Sequence, residues 1–214
     1  MVFKTAIFDL DGTLLDTLRD IAQSVNYALE ANNLPTHPID EIKSFIGNGI
    51  LNLIDKSVPI NSTKAQKSKV LQNYMTHYAL HKKDNSEPFD GIMELLDNLK
   101  EKGVNIAILS NKDDKPTKEL AKEVFTNTVC YAKGYTNDMP PKPAPDGIYH
   151  ILDIINEKLE NCIFIGDSDV DIQTGKNAGV YTVGVSWGFR EVEELMQNGA
   201  DKIVHKPSEI LDLF

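Results

Sequence analysis

The chain has 214 residues, a length that suits one large domain or a domain carrying a smaller insert. Apolar residues make up 41% and charged residues 25%, the balance of a globular protein able to fill a core. A formal net charge of −10 argues against nucleic acid as the main partner, since phosphate backbones are bound by clustered Lys and Arg. It leaves small phosphates open, because one lysine or a local cation overrides the global field.

Along the chain, the first short apolar run is TAIFDL, which leads into FDLDGT at residues 8–13. From Asp16 to about Asn85 the pattern is helical. Leu18, Ile21, Ala22, Val25, Ala28 and Leu29 form one stripe, Ile42, Phe45 and Ile46 a second, and Ile50, Leu53 and Ile54 a third. A lysine-rich helix follows with Val70, Leu71, Tyr74, Met75 and Tyr78 expected inward, its lysines from Lys64 to Lys69 facing solvent. In GIMELLDNLKEKG, Ile92, Leu95, Leu96 and Leu99 share a face, with Asp90 expected as N-cap and Gly103 as the stop. The runs NIAILSN, TVCYA, NCIFIGD and YTVGVSW then alternate with helical periods, including Ile148, Ile151, Leu152 and Ile155 after a proline. Runs this short, bounded by polar residues or glycine, predict strands buried on both faces. The expectation is an α/β fold, a doubly wound parallel sheet formed by residues 1–15 and 86–214, with an all-helical cap inserted at 16–85. Connections near Leu15–Thr17 and Asn85–Phe89 are expected to act as hinges.

Cys130 and Cys162 lie in apolar stretches and are expected as buried free thiols, which suits a reducing cytosol. No apolar run approaches membrane-spanning length, and MVFKTAIFDLDG reaches charge too early for a signal peptide, so a cytoplasmic protein with no membrane partner is expected.

Ligands of open α/β sheets bind beyond the carboxyl ends of the strands. There the first strand delivers Asp9, Asp11, Gly12 and Thr13, and NIAIL delivers Ser110 and Asn111. NCIFI delivers Gly166, Asp167, Ser168 and, after a turn, Asp171, and the loop after TVCYA carries Lys142 within PPKPAP. Residues two apart on extended chain point the same way, so Asp9 and Asp11 are expected to face one small volume. With Asp167 they would set three carboxylates in a pocket, which a proton or a cation must relieve. Oxygen-only ligands suit a hard ion such as Mg²⁺, and no His or Cys cluster offers itself to zinc. An ionised Asp can attack phosphorus, a second carboxyl can move the proton, and Ser110 with Lys142 can hold phosphate oxygens. Blander readings stand beside these. DxDG is often an Asx turn, Ser110 and GDSDVD can cap helices, and GNG at 47–49 can be a plain break between helices. The histidines are scattered and none is assigned, and Trp187 and Phe189 are expected to pack against the sheet's end.

FDLDGTLLDT, ILSNK, KPAPD and GDSDVD resemble, in order, the four signature motifs of the haloacid dehalogenase-like hydrolases, and the insert resembles their helical-cap branch. The resemblance implies Asp9 as nucleophile, Asp11 as general acid/base, and Ser110 and Lys142 as phosphate-binding residues, with Gly12, Thr13 and Asn111 beside them. It implies Mg²⁺ on the Asp9 carboxylate, the Asp11 main-chain carbonyl and Asp167, with Asp171 behind them. An acid at position 11 favours phosphate chemistry over dehalogenation. FIGNGI and VGVSWGFRE are similar to stretches of phosphoglycolate phosphatases, which implies that Gly47, Asn48 and Gly49 select substrate. The stretch from Phe125 to Asp138 lacks that family's glycine-rich lead-in, and the second half of the cap is unusually rich in lysine. The expected function is a Mg²⁺-dependent phosphatase for small phosphomonoesters, acting through an aspartyl-phosphate beneath a mobile cap, as monomer or dimer, with phosphoglycolate the leading substrate. A phosphosugar mutase or a pyrophosphatase on the same scaffold is the alternative. A receiver-like phospho-Asp module is the rival from another class, though receivers carry no such helical insert.

Overall fold

A computed structural model describes residues 3–214. Strand β1 (Thr5–Phe8) is followed by a two-residue strand β2 (Leu15–Asp16) and four helices, α1 (Leu18–Glu30), α2 (Ile39–Phe45), α3 (Gly49–Ser57) and α4 (Lys64–His81). A second two-residue strand, β3 (Glu87–Pro88), pairs with β2. Then come α5 (Ile92–Glu101), β4 (Asn105–Asp113), α6 (Asp114–Val124), β5 (Tyr131–Tyr135) and α7 (Asp146–Ile154). Then follow β6 (Cys162–Gly166), α8 (Asp169–Ala178), β7 (Tyr181–Val185), α9 (Val192–Gln197) and β8 (Lys202–Val204), with a 3₁₀ helix at Pro207–Leu213 after it. It divides into two compact units, residues 1–15 with 88–214, and residues 16–87.

In the larger unit six strands lie in the order β5-β4-β1-β6-β7-β8, every neighbouring pair parallel. β1 sits between β4 and β6, which is why TAIF carries no polar side except Thr5 and all four residues are buried. The period of two sends side chains to opposite faces. Ala6 and Phe8 join Ile106, Ile108, Ile163 and Ile165 in a core layer with Ile92, Leu95, Leu96 and Leu99 of α5 and Leu120 of α6. Ile7 joins Ala107, Leu109 and Phe164 in the other, covered by Ile148, Ile151 and Leu152 of α7. A parallel sheet covered on both faces by helices is the doubly wound α/β fold.

Several local expectations are corrected. The TVCYA strand begins later, at Tyr131, and runs on to Tyr135. Phe125, 1% exposed, anchors a turn after α6 in which the N–H groups of Thr128 and Val129 both donate to its carbonyl, and that turn consumes the start of the run. Cys130 is exposed, because it precedes an edge strand, whereas Cys162 on the inner strand β6 is buried. Gly91, with φ 84°, takes the N-cap position of α5 in place of Asp90. β8 carries no signal in the sequence. KIV is too short to carry an alternation of its own.

The smaller unit is all helix apart from the strand residues at its ends. Ile21, Ala22, Val25, Ala28 and Leu29 of α1 are buried, as are Ile42, Leu53 and Ile54. On α4 the buried stripe narrows to Val70, Tyr74 and Tyr78, while Met75 is 49% exposed, so that helix buries one residue per turn at i, i+4 and i+8. Two histidines here are not scattered: His77 stacks between Tyr27 and His81, with ring centroids 4.2 Å apart on each side.

Candidate active site

The strand order reverses at β1, so the carboxyl ends of β1, β4 and β6 open onto the crevice where sheets of this kind bind ligands. β1 makes its last sheet bond as Asp9 N–H donates to the Ile165 carbonyl at 2.8 Å. Beyond it the Asp9 side chain meets Lys142, Nζ to Oδ1 at 2.8 Å, and the same ammonium lies 2.6 Å from Asp171 Oδ1. Asp167 stands at the end of β6. Its Oδ1 accepts from the Thr13 hydroxyl at 2.9 Å and its Oδ2 from Phe189 N–H at 2.8 Å.

Carboxylate oxygens of Asp9, Asp167 and Asp171 lie within 4.8 Å of one another, all three residues buried, the one such His/Cys/Asp/Glu group among the described residues. Two glycines make room for it. A Cβ on Gly12, whose φ of 89° already favours glycine, would strike the Asp167 carboxylate, and one on Gly188 would strike the Asp167 side chain. Burial, and next the charge of Asp171, raise Asp9 to about 8 and Asp167 to about 7. Against the burial that would lower it, the charges of Asp171 and Asp9 hold Lys142 above the ordinary lysine value. When all three carboxylates of the cluster are ionised, the single ammonium of Lys142 leaves negative charge in excess, and an all-oxygen donor set of this kind suits a hard divalent cation.

The expected pairing of Asp9 with Asp11 takes a different form. The strand ends at Phe8, so the rule for residues two apart does not reach this pair. Both Asp11 oxygens accept from Lys112 Nζ, at 2.7 and 2.8 Å, and Asp171 rather than Asp11 supplies the third carboxylate of the cluster.

The other candidate residues sort by what they touch. Ser110 lies inside β4 rather than at a helix cap, buried, with its Oγ accepting from Lys112 N–H at 3.2 Å. The Asn111 amide clasps the main chain of Lys142: its Oδ1 accepts from Lys142 N–H at 2.8 Å and its Nδ2 donates to the Lys142 carbonyl at 3.0 Å. Thr13 spends its hydroxyl on Asp167. Ser168 is the N-cap of α8 and forms a capping box with Asp171, whose Oδ2 accepts from Ser168 N–H at 3.0 Å and Oγ at 2.6 Å. The cap reading and the site reading of GDSDVD therefore hold together, because one oxygen of Asp171 caps the helix and the other holds Lys142. Gly47 (φ 119°), Asn48 and Gly49 (φ 79°) make the turn between α2 and α3 in the smaller unit, with Asn48 at the N-cap position of α3.

Lys112, the last residue of ILSNK, carries no role in the sequence reading, yet it lies two residues from Ser110 on β4 and holds both Asp11 oxygens. The segment after β7 was expected only to pack. It also holds the site, through Phe189 N–H on Asp167 and through Trp187 Nε1, which donates to the Thr13 carbonyl at 3.0 Å.

The sequence profile of the haloacid dehalogenase-like hydrolases matches residues 6–185. A phosphoglycolate phosphatase of Aquifex aeolicus is 28% identical over 98% of this chain and 96% of its own length. One from Caulobacter vibrioides is 31% identical over 94% of this chain and 86% of its own. A crystal structure from Lactobacillus delbrueckii, provisionally called a phosphoglycolate phosphatase, superposes with a TM-score of 0.92 at 32% identity, covering 98% of this chain and 97% of the other.

Proposed function

Because the chain belongs to the haloacid dehalogenase-like hydrolases, we propose that it hydrolyses small phosphomonoesters through an aspartyl-phosphate on Asp9, with 2-phosphoglycolate the foremost substrate. The observation that carries this reading is the cluster of Asp9, Asp167 and Asp171, with Lys142 paired to Asp9 and Asp171, while Asp11 is held apart on a second lysine. One carboxylate stands among charges that keep it fixed, and another is placed to exchange a proton.

Asp9 Oδ attacks phosphorus in line with the ester oxygen, the ester P–O bond breaks, and the leaving oxygen takes a proton from Asp11. Water then attacks the aspartyl-phosphate and passes its proton to Asp11, the bond from phosphorus to Asp9 breaks, and inorganic phosphate leaves. Lys142 and Ser110 hold the phosphoryl oxygens where negative charge gathers in the transition state. Asn111 fixes the main chain of Lys142, and Asp171 its ammonium, so the cation is set before substrate arrives. Asp9, the Asp11 main-chain carbonyl and Asp167 would hold Mg²⁺, which when bound offsets the joint charge of carboxylates and phosphate. Thr13 and the Phe189 N–H keep Asp167 aimed into the pocket. Gly47, Asn48 and Gly49 are proposed to select the substrate, a small phosphorylated metabolite met in the cytoplasm. Among the described residues no helix is long and apolar enough to cross a membrane.

The test is phosphate release by the purified protein from 4-nitrophenyl phosphate and from a panel of 2-phosphoglycolate, phosphosugars, nucleotides and pyrophosphate, with and without Mg²⁺. Wild type is expected to act only with the cation, and Asp9→Asn to lose at least about a thousandfold in kcat, as removal of a nucleophile does. Undiminished activity in Asp9→Asn, or in excess chelator, overturns the mechanism. A low rank for 2-phosphoglycolate removes that substrate and leaves the reaction class.

A further inference from the structure

FDLDGT sets two carboxylates two residues apart, and the fold answers them with two different cations. Lys142 takes Asp9 together with Asp171. Lys112 takes Asp11, with Nζ within hydrogen-bonding distance of both carboxylate oxygens and side chains only 9% and 11% exposed. A buried ion pair is a poor source of stability, because desolvating both groups offsets most of their attraction. Lys112 also lies two residues beyond Ser110 at the carboxyl end of β4, the strand beside β1, and its N–H donates to Ser110 Oγ at 3.2 Å.

We infer that Lys112 is a positioning residue that holds Asp11 as a proton acceptor, and so serves the second half of the reaction, the hydrolysis of the aspartyl-phosphate. The inference rests on the phosphatase reading above. Both Asp11 oxygens are turned to the Lys112 ammonium, which fixes the carboxylate in the orientation of an acceptor. It is so placed to receive a proton as water forms its bond to phosphorus and the bond from phosphorus to Asp9 Oδ breaks. In the first half, where the leaving oxygen needs a proton, Asp11 must come off Lys112 before it can deliver one. The contact therefore favours one half of the cycle over the other.

Partition kinetics read this directly. kcat/KM reports the steps through loss of the leaving group, whereas kcat falls whenever hydrolysis of the phosphoenzyme becomes slow. With 4-nitrophenyl phosphate, whose leaving group needs little protonation, Lys112→Met is expected to lower kcat about tenfold or more, less than the roughly hundredfold or greater loss of a general base itself because Asp11 remains. Its kcat/KM should stay within about threefold, so KM falls along with kcat. Acid-quenched samples at steady state should hold more phosphoryl-Asp9 than wild type, with a burst of nitrophenolate. Lys112→Arg should keep most of the rate. In an Asp11→Asn background, Lys112→Met should cost nothing further, because it acts through Asp11. That pair of proteins also removes both charges together, which gives a folded comparison if the single variant is unstable.

Parallel losses in kcat and kcat/KM with no added phosphoenzyme, unchanged kinetics, or a further loss in the Asp11→Asn background would each overturn the inference while the phosphatase reading stands. A wild type inactive on both 4-nitrophenyl phosphate and 2-phosphoglycolate overturns that reading and the inference with it.

Discussion

Asp9 and Asp167 each hold a proton at a pH where a free aspartate has lost it, because burial and then the charge of Asp171 make a further negative charge expensive. In the unfolded chain these carboxyls lose their protons near pH 4. In the folded, cation-free protein they keep them until about 7 and about 8. Between those limits folding takes up protons, so stability from this pair is fully present below about pH 4 and is lost as pH rises through 7 to 8. A divalent cation bound at these carboxylates would reverse the trend, since it takes the ionised form. At Mg²⁺ about a hundredfold above its Kd the linkage is worth about 2.7 kcal/mol, or roughly 5–10 °C in a chain of this size. That gain is expected at pH 8 and should shrink toward nothing at pH 5.5, where protons compete for the same oxygens. Thermal melts with and without Mg²⁺ at the two pH values check it. An equal shift at both would mean the cation sits elsewhere.

At the scale of elements, what was legible followed from how much of a run is buried. β1, β6 and the first part of β4 are apolar without interruption because helices cover both faces of the sheet, and α5 shows its buried residues at helical spacing. β5 was misplaced because an edge strand with a half-open side needs no such run, and the turn anchored by Phe125 borrows the apolar residues before it. The Asp11–Lys112 pair was hidden for another reason. Both residues were in view, but strand periodicity predicts which side chains share a face, and Asp11 lies past the point where β1 stops. The helical unit holds a buried contact that no period announces. Asp20 of α1, 1% exposed, accepts from the N–H and Nδ2 of Asn85 and from the N–H and Oγ of Ser86. Asp20→Ala strands those donors, and at roughly 1–3 kcal/mol for a buried unsatisfied group it should cost about 2–4 kcal/mol in all. Denaturant titration measures this as a lower midpoint at unchanged slope. A loss under about 0.5 kcal/mol, the scatter of ordinary surface changes, would show that water replaces the carboxylate.

On the scale of the whole molecule, the chain keeps its proposed chemistry in the unit formed by residues 1–15 and 88–214 and leaves residues 16–87 to a separate set of helices. Asp9, Asp11, Ser110, Lys142, Asp167 and Asp171 all belong to the first, and Gly47, Asn48 and Gly49 to the second. Reaction type was readable because its residues stand at strand ends, where the topology of a doubly wound sheet says to look. Substrate choice was not, because a turn between two helices shows only that glycine suits its positive φ values, at Gly47 and Gly49, and says nothing of what its side chains meet. If that turn selects substrate, its effect must depend on the part of the ester beyond the phosphate. Asn48→Ala replaces a side chain at the N-cap position of α3, where no side-chain cap bond is formed, so the helix should lose little. The variant is expected to lower kcat/KM for 2-phosphoglycolate about tenfold, the size of one lost polar contact, while leaving 4-nitrophenyl phosphate within about twofold. Equal losses on both esters would assign Asn48 to folding, and no loss on either would move selection to other residues of the helical unit.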